Sequence, residues 1–164
     1  MIILGIDPGT VVMGFGLIES DNGEAKYLDC GTITTNSRSP IGERLSFIYN
    51  HLSEIIRQSH PDAVAIEQPF VAKNVKSAFA IGRAQAIGIV AAANNGISVY
   101  EYSPTQVKQR VTSYGASSKE QVQEMVRLQL GLAQSPEPYD AADALAVALC
   151  HIGEIHMNNL LLER

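Results

Sequence analysis

The chain has 164 residues, 46% of them hydrophobic, with 12 Lys plus Arg against 17 Asp plus Glu. That length fits one domain, excludes two of ordinary size, and buries roughly 70% of the unfolded surface without help from a disulfide or structural metal. The net charge of −5 speaks against a nucleic-acid binder, which usually carries a basic surplus, although a sum over the chain hides any local patch.

Ile2 to Asp7 is a short apolar run ending in a carboxylate, and Val11 to Glu19 and Ala25 to Thr35 follow around the turn sequence Asp21-Asn22-Gly23. Three strands joined by short turns predict an antiparallel meander. The period then changes: Ser39-Pro40 reads as a helix start with proline at the first helical position, and Leu45, Ile48, Tyr49, Leu52, Ile55 and Ile56 recur at helical spacing. Pro61-Asp62 ends that helix, and Ala63 to Glu67 is a buried strand that again closes on an acid. Val75 to Asn94 is a second long helix, Ile97 to Tyr102 a fifth strand, and Ser103-Pro104 opens a short helix. Ser117 with Glu120 has capping-box spacing ahead of a helix that ends at Gly131, and Asp140 to Ile152 is a final apolar helix. The order β-β-β-α-β-α-β-α-α predicts one mixed sheet covered by helices.

Cys30 and Cys150 stand alone, without a CxxC partner, which suits a reducing cytosol and small buried hydrophobes. No basic, uninterrupted apolar N-terminal segment reads as a signal peptide, and the longest apolar run, Ala86 to Ala93, is 8 residues. A soluble cytoplasmic protein with no membrane partner is the expectation.

Four acids are set among apolar neighbours. Asp7 and Glu67 end buried strands, while Asp140 and Asp143 open the last helix three residues apart, on one face. A carboxylate at the end of a buried strand is costly unless a positive charge pairs with it, and none of the four has Lys or Arg within three residues. Divalent cations supply that charge, and hard oxygen ligands without a His/Cys cluster favour Mg²⁺ or Mn²⁺ over zinc. Taken singly, Asp140 reads equally well as a helix cap, Asp143 as a dipole partner and Asp7-Pro8-Gly9 as a turn. Their joint occurrence favours the metal reading.

Gly5-Ile6-Asp7-Pro8-Gly9-Thr10, Gly14-Phe15-Gly16, Ile66-Glu67-Gln68-Pro69-Phe70 and Asp140-Ala141-Ala142-Asp143-Ala144-Leu145 closely resemble, in order and spacing, the RuvC family of bacterial Holliday-junction resolvases. The resemblance covers nearly the whole chain. It implies an RNase H-like α/β fold, a five-stranded mixed sheet of three antiparallel then two parallel strands flanked by helices. It also implies a single nuclease domain over 1–164, with 154–164 as a C-terminal tail. Asp7, Glu67, Asp140 and Asp143 match the family's catalytic, metal-binding acids, which implies two Mg²⁺ ions per site, with Mn²⁺ able to substitute. The implied activity is symmetric paired nicking of four-way junction DNA by a homodimer, leaving 5′-phosphate and 3′-hydroxyl ends, with the RuvA–RuvB branch-migration complex as partner.

Between Val71 and Lys119 six cations face Glu101 alone, so this stretch carries +5 and the rest of the chain −10. Lys73, Lys76, Lys108 and Lys119 are the candidate DNA contacts. The segments around Lys108 and Lys119 resemble those whose lysines meet the backbone near the scissile phosphate in the family. Composition alone makes Phe70 a core residue; the matching family aromatic instead inserts at the junction point. Tyr114 with Gly115 is a candidate lining of the same surface as Phe70, supported by no motif. The four histidines fall at no metal-ligand spacing. Two rivals are an actin-like sugar kinase, which needs two such domains, and a junction-binding module without chemistry, which the four acids oppose.

Overall fold

The computed structural model describes residues 1–21, 23–70 and 74–162. Strands β1 (Ile2–Asp7), β2 (Val12–Asp21) and β3 (Glu24–Thr34) form the antiparallel meander, and β4 (Ala63–Glu67) and β5 (Ser98–Tyr102) continue the sheet in parallel, giving the order β3-β2-β1-β4-β5. This is the mixed RNase H-like sheet expected from the sequence. Of the turn between β2 and β3, Asn22 lies outside the described residues, and Gly23 takes a φ of 87° that suits its lack of a Cβ.

Helices α1 (Ile41–Ser59) and α2 (Val75–Asn94) cover one face of the sheet, and α3 (Pro104–Thr112), α4 (Lys119–Gln129) and α5 (Tyr139–Leu162) cover the other. Alternation along β1 sorts the two cores: Leu4 and Ile6 join Leu52 and Ile66 under α1 and α2, whereas Ile3 joins Val147 and Val126 under α5 and α4. By that alternation Asp7 falls on the α5 side. The same parity puts Glu67 there, because Ala65 belongs to the α5 core.

Three local readings shift. Pro40 is the residue before α1, with an extended ψ of 143°, and not its first helical residue. The capping box of α4 is Ser118 with Gln121, one position later than expected, because the Ser117 hydroxyl is engaged with Tyr114 and Thr112. Helix α5 starts one residue early and runs to Leu162, so helix continues through most of the segment expected as a tail. By length and composition α2 and α5 are each apolar enough to cross a bilayer, but from Ala144 to Ile152 α5 is buried within the domain. Cys150 is buried there, and burial pushes its thiol up to about 12, while Cys30 is half-buried.

The central packing contact is α5 on β1 and β2. A Cβ on Gly5 would lie 2.0 Å from the Ala144 carbonyl oxygen, and one on Gly14 would lie 1.9 Å from that of Asp140. Backbone therefore meets backbone, and any side chain at these positions lifts the helix. We predict that Gly5→Ala lowers the melting temperature by roughly 3–10 °C, as overpacking of about 1–3 kcal/mol does in a domain of this size. Thermal denaturation followed by circular dichroism checks this, and an unchanged transition contradicts it.

Candidate active site

Asp7 and Glu67 end the adjacent parallel strands β1 and β4, in register through the preceding pair Ile6 and Ile66. The first turn of α5, laid across Gly14, carries Asp140 and Asp143 to the same end of the sheet. All four acids are half-buried and repel one another. Burial, then the charges of Glu67, Asp143 and Asp140, push the Asp7 carboxyl up to about 8. Burial and the Asp143 charge push Glu67 up to about 7, against the pull of Lys108 and Lys119. Asp143 is raised as well: burial outweighs Lys119, whose Nζ lies 3.6 Å from Asp143 Oδ2. Partial burial works against the Lys119 ammonium, but Asp143, Asp7 and Asp140 together hold it above the ordinary lysine value.

Among the described residues no three His, Cys, Asp or Glu side chains converge as a ready-made ion cage. The donor set nevertheless fits divalent cations: only hard oxygens, a local charge that repels itself, and carboxyls whose protons a cation would displace. The charged forms of Asp7, Glu67 and Asp143 are disfavoured by burial and mutual repulsion, so the site gains most from positive charge.

The basic residues divide. Lys108 and Lys119 act on the acids directly. Lys76 is exposed in the first turn of α2, and Lys73 lies outside the described residues. Arg110 is engaged in an ion pair with Glu154. Phe70 is 65% exposed three residues beyond Glu67, which excludes the core role that composition favoured. His151 is buried on α5, 2.7 Å from the Tyr102 hydroxyl through Nδ1, and takes no part in the cluster.

One device had no sequence signal. Arg44 on α1 donates through Nε to the Thr10 carbonyl oxygen (3.0 Å) and through Nη2 to Thr10 Oγ1 (2.7 Å). The Thr35 hydroxyl donates to the same carbonyl (2.7 Å), so the turn after Asp7 is tied to both α1 and the end of β3. The sequence separation of 34 residues between Arg44 and Thr10 lies beyond any local motif.

Comparison with known proteins places the chain in a family. The family model described as crossover junction endodeoxyribonuclease RuvC matches residues 3–151. The crossover junction endodeoxyribonuclease RuvC of Dehalococcoides mccartyi (strain ATCC BAA-2266 / KCTC 15142 / 195) is 55% identical over 151 residues, 92% of each chain. Among solved structures, Thermus thermophilus RuvC superposes with a TM-score of 0.87 at 37% identity, covering 96% of this chain and 97% of that one. The T. thermophilus RuvC complex with a Holliday junction substrate gives 0.89 at 36% identity, covering 96% of each.

The raised carboxyls fix a pH dependence for the metal-free protein. Asp7 rises from 3.8 to about 8 on folding, so between those values the folded chain holds a proton that the unfolded chain has released. Stability therefore falls as pH rises through that window and levels off above it. With chelator present, Asp7→Asn is expected to raise the melting temperature at pH 8 by roughly 3–8 °C and to leave it nearly unchanged at pH 4. Equal effects at both pH values contradict the assignment.

Proposed function

The chain belongs to the RuvC family and is a Holliday junction resolvase, a crossover junction endodeoxyribonuclease, and from that premise we propose that it makes paired symmetric nicks in four-way junction DNA through Asp7, Glu67, Asp140 and Asp143. The observation that carries the residue assignment is the meeting of these four acids, from two strand ends and one helix start, beside Lys108 and Lys119. Two Mg²⁺ ions held by the four carboxylates, or Mn²⁺ in their place, would supply water activation and stabilisation of the departing 3′ oxygen. The chain's own residues position that chemistry. Asp7 and Glu67 are fixed by sheet register, and Asp140 and Asp143 by the docking of α5. Lys119 and Lys108 hold the scissile phosphate against an otherwise negative site, and Lys73 and Lys76 extend the contact along the backbone. Displacement at phosphorus with the 3′ oxygen leaving yields 5′-phosphate and 3′-hydroxyl ends.

Phe70 is the wedge at the junction point: an exposed aromatic beside the acids gains most by inserting against unstacked bases. The protein acts as a homodimer of one nuclease domain spanning 1–164, because a four-way junction presents two symmetry-related strands. The dimer surface is the exposed apolar face of α2, where Val75 (61% exposed) and Phe79 (68% exposed) flank Ala78 and Gly82 beside Pro69. Action in the cytoplasm with the RuvA–RuvB complex follows the family resemblance.

Asp7→Asn, Glu67→Gln, Asp140→Asn and Asp143→Asn should each lower junction cleavage by roughly a hundredfold or more while keeping junction binding within about threefold. Gel assays of cleavage and binding on a synthetic four-way junction, with linear duplex as control, test this; a variant that cuts at the wild-type rate removes its residue from the site. Phe70→Ala should slow cleavage roughly tenfold without changing the melting temperature. Phe79→Glu should convert dimer to monomer in sedimentation equilibrium, and an undisturbed dimer would place the interface elsewhere.

A further inference from the structure

The connection between α3 and α4 presents a second exposed aromatic. Tyr114 is 65% exposed, as much as Phe70, and its hydroxyl has no partner among the described residues. Its backbone, by contrast, is held on several sides. The Ser117 hydroxyl (2.7 Å) and the Ser117 N–H (3.2 Å) both donate to the Tyr114 carbonyl oxygen. The Tyr114 N–H donates to Thr112 Oγ1 (3.2 Å), whose own hydroxyl donates to the Lys108 carbonyl oxygen (2.8 Å). Ser113 turns the chain with a left-handed φ of 63°, a conformation unfavourable for serine that these bonds maintain.

The turn folds back along α3, so that a Cβ on Gly115 would lie 3.0 Å from Thr105 Cγ2, in the first turn after β5. The turn thus packs on the start of α3, just past Tyr102, which pairs with Glu67 on the neighbouring strand, and in sequence it joins the helices that carry Lys108 and Lys119, the two cations that act on Glu67 and Asp143. An exposed ring on a pinned backbone has little ordering entropy left to lose when a ligand meets it.

We propose that Tyr114 is a substrate-contacting residue whose ring stacks on an exposed base of the junction beside the scissile strand. This rests on the junction-cleaving function above and adds a contact separate from Phe70. The ring carries the interaction, so phenylalanine serves in its place, and no phosphate charge is involved.

The test is binding of Tyr114→Ala and Tyr114→Phe to a fluorescently labelled four-way junction over a series of KCl concentrations, with melting temperatures alongside. Tyr114→Ala should weaken binding roughly five- to fiftyfold, and Tyr114→Phe should stay within about twofold of wild type. The slope of log affinity against log salt should be the same for all three proteins, because the number of neutralised phosphates does not change. Tyr114→Ala binding like wild type, Tyr114→Phe binding as weakly as Tyr114→Ala, or a reduced salt slope each overturn the proposal. Wild-type protein that neither binds nor cuts the junction would overturn the functional reading itself, a result distinct from any of these.

Discussion

Helix α5 lies so close to β1 and β2 that its carbonyl oxygens occupy the space where side chains would stand. Glycines at positions 5 and 14 permit that approach, and it brings Asp140 and Asp143 to Asp7 and Glu67. The cost is electrostatic. Four half-buried carboxyls crowd one end of the sheet, and the charged forms of Asp7, Glu67 and Asp143 are all disfavoured. A site built this way destabilises the bare fold near neutral pH and gains in proportion when positive charge arrives.

The surroundings follow from that crowding. Lys108 and Lys119 come from two short helices packed against α5, so cations reach the acids from outside the sheet while the strand ends supply the acids from within. The Arg44 latch ties the turn after Asp7 to α1 and β3, which limits how far the repelling carboxyl can swing away. On the opposite face of the sheet α2 leaves Val75 and Phe79 exposed. The net charge of −5 is accordingly no obstacle to binding DNA. The cations concentrate in residues 71–119, where six of them face Glu101 alone.

Much of this was legible in the residues. Acids ending apolar runs mark Asp7 and Glu67 because period-two burial makes an unpaired carboxylate there conspicuous. The i, i+3 pair at the start of an apolar helix marks Asp140 and Asp143. Strands β1 and β4 and helix α2 have the bounds that the pattern predicted, since their flanking turns carry proline, glycine or asparagine. What stayed hidden is non-local. Nothing in the composition of residues 153–162 separates a helix from a tail, since exposed leucines at the end of α5 suit either. The α4 cap moved by one residue because Ser117 and Ser118 are equivalent in sequence, and only the contact with Tyr114 decides between them. The Arg44 latch and the tight docking at Gly5 and Gly14 each join segments more than thirty residues apart.

The central claim is that divalent cations replace protons on a carboxylate cluster raised by burial and mutual repulsion. Calorimetric titration of Mg²⁺ into the protein at pH 7, repeated in buffers of different ionisation enthalpy, counts the protons released. With Asp7 near 8 and Glu67 near 7, the account predicts release of roughly one to one and a half protons per site on saturation. Binding without proton release, or heat that is unchanged in Asp7→Asn, would contradict it.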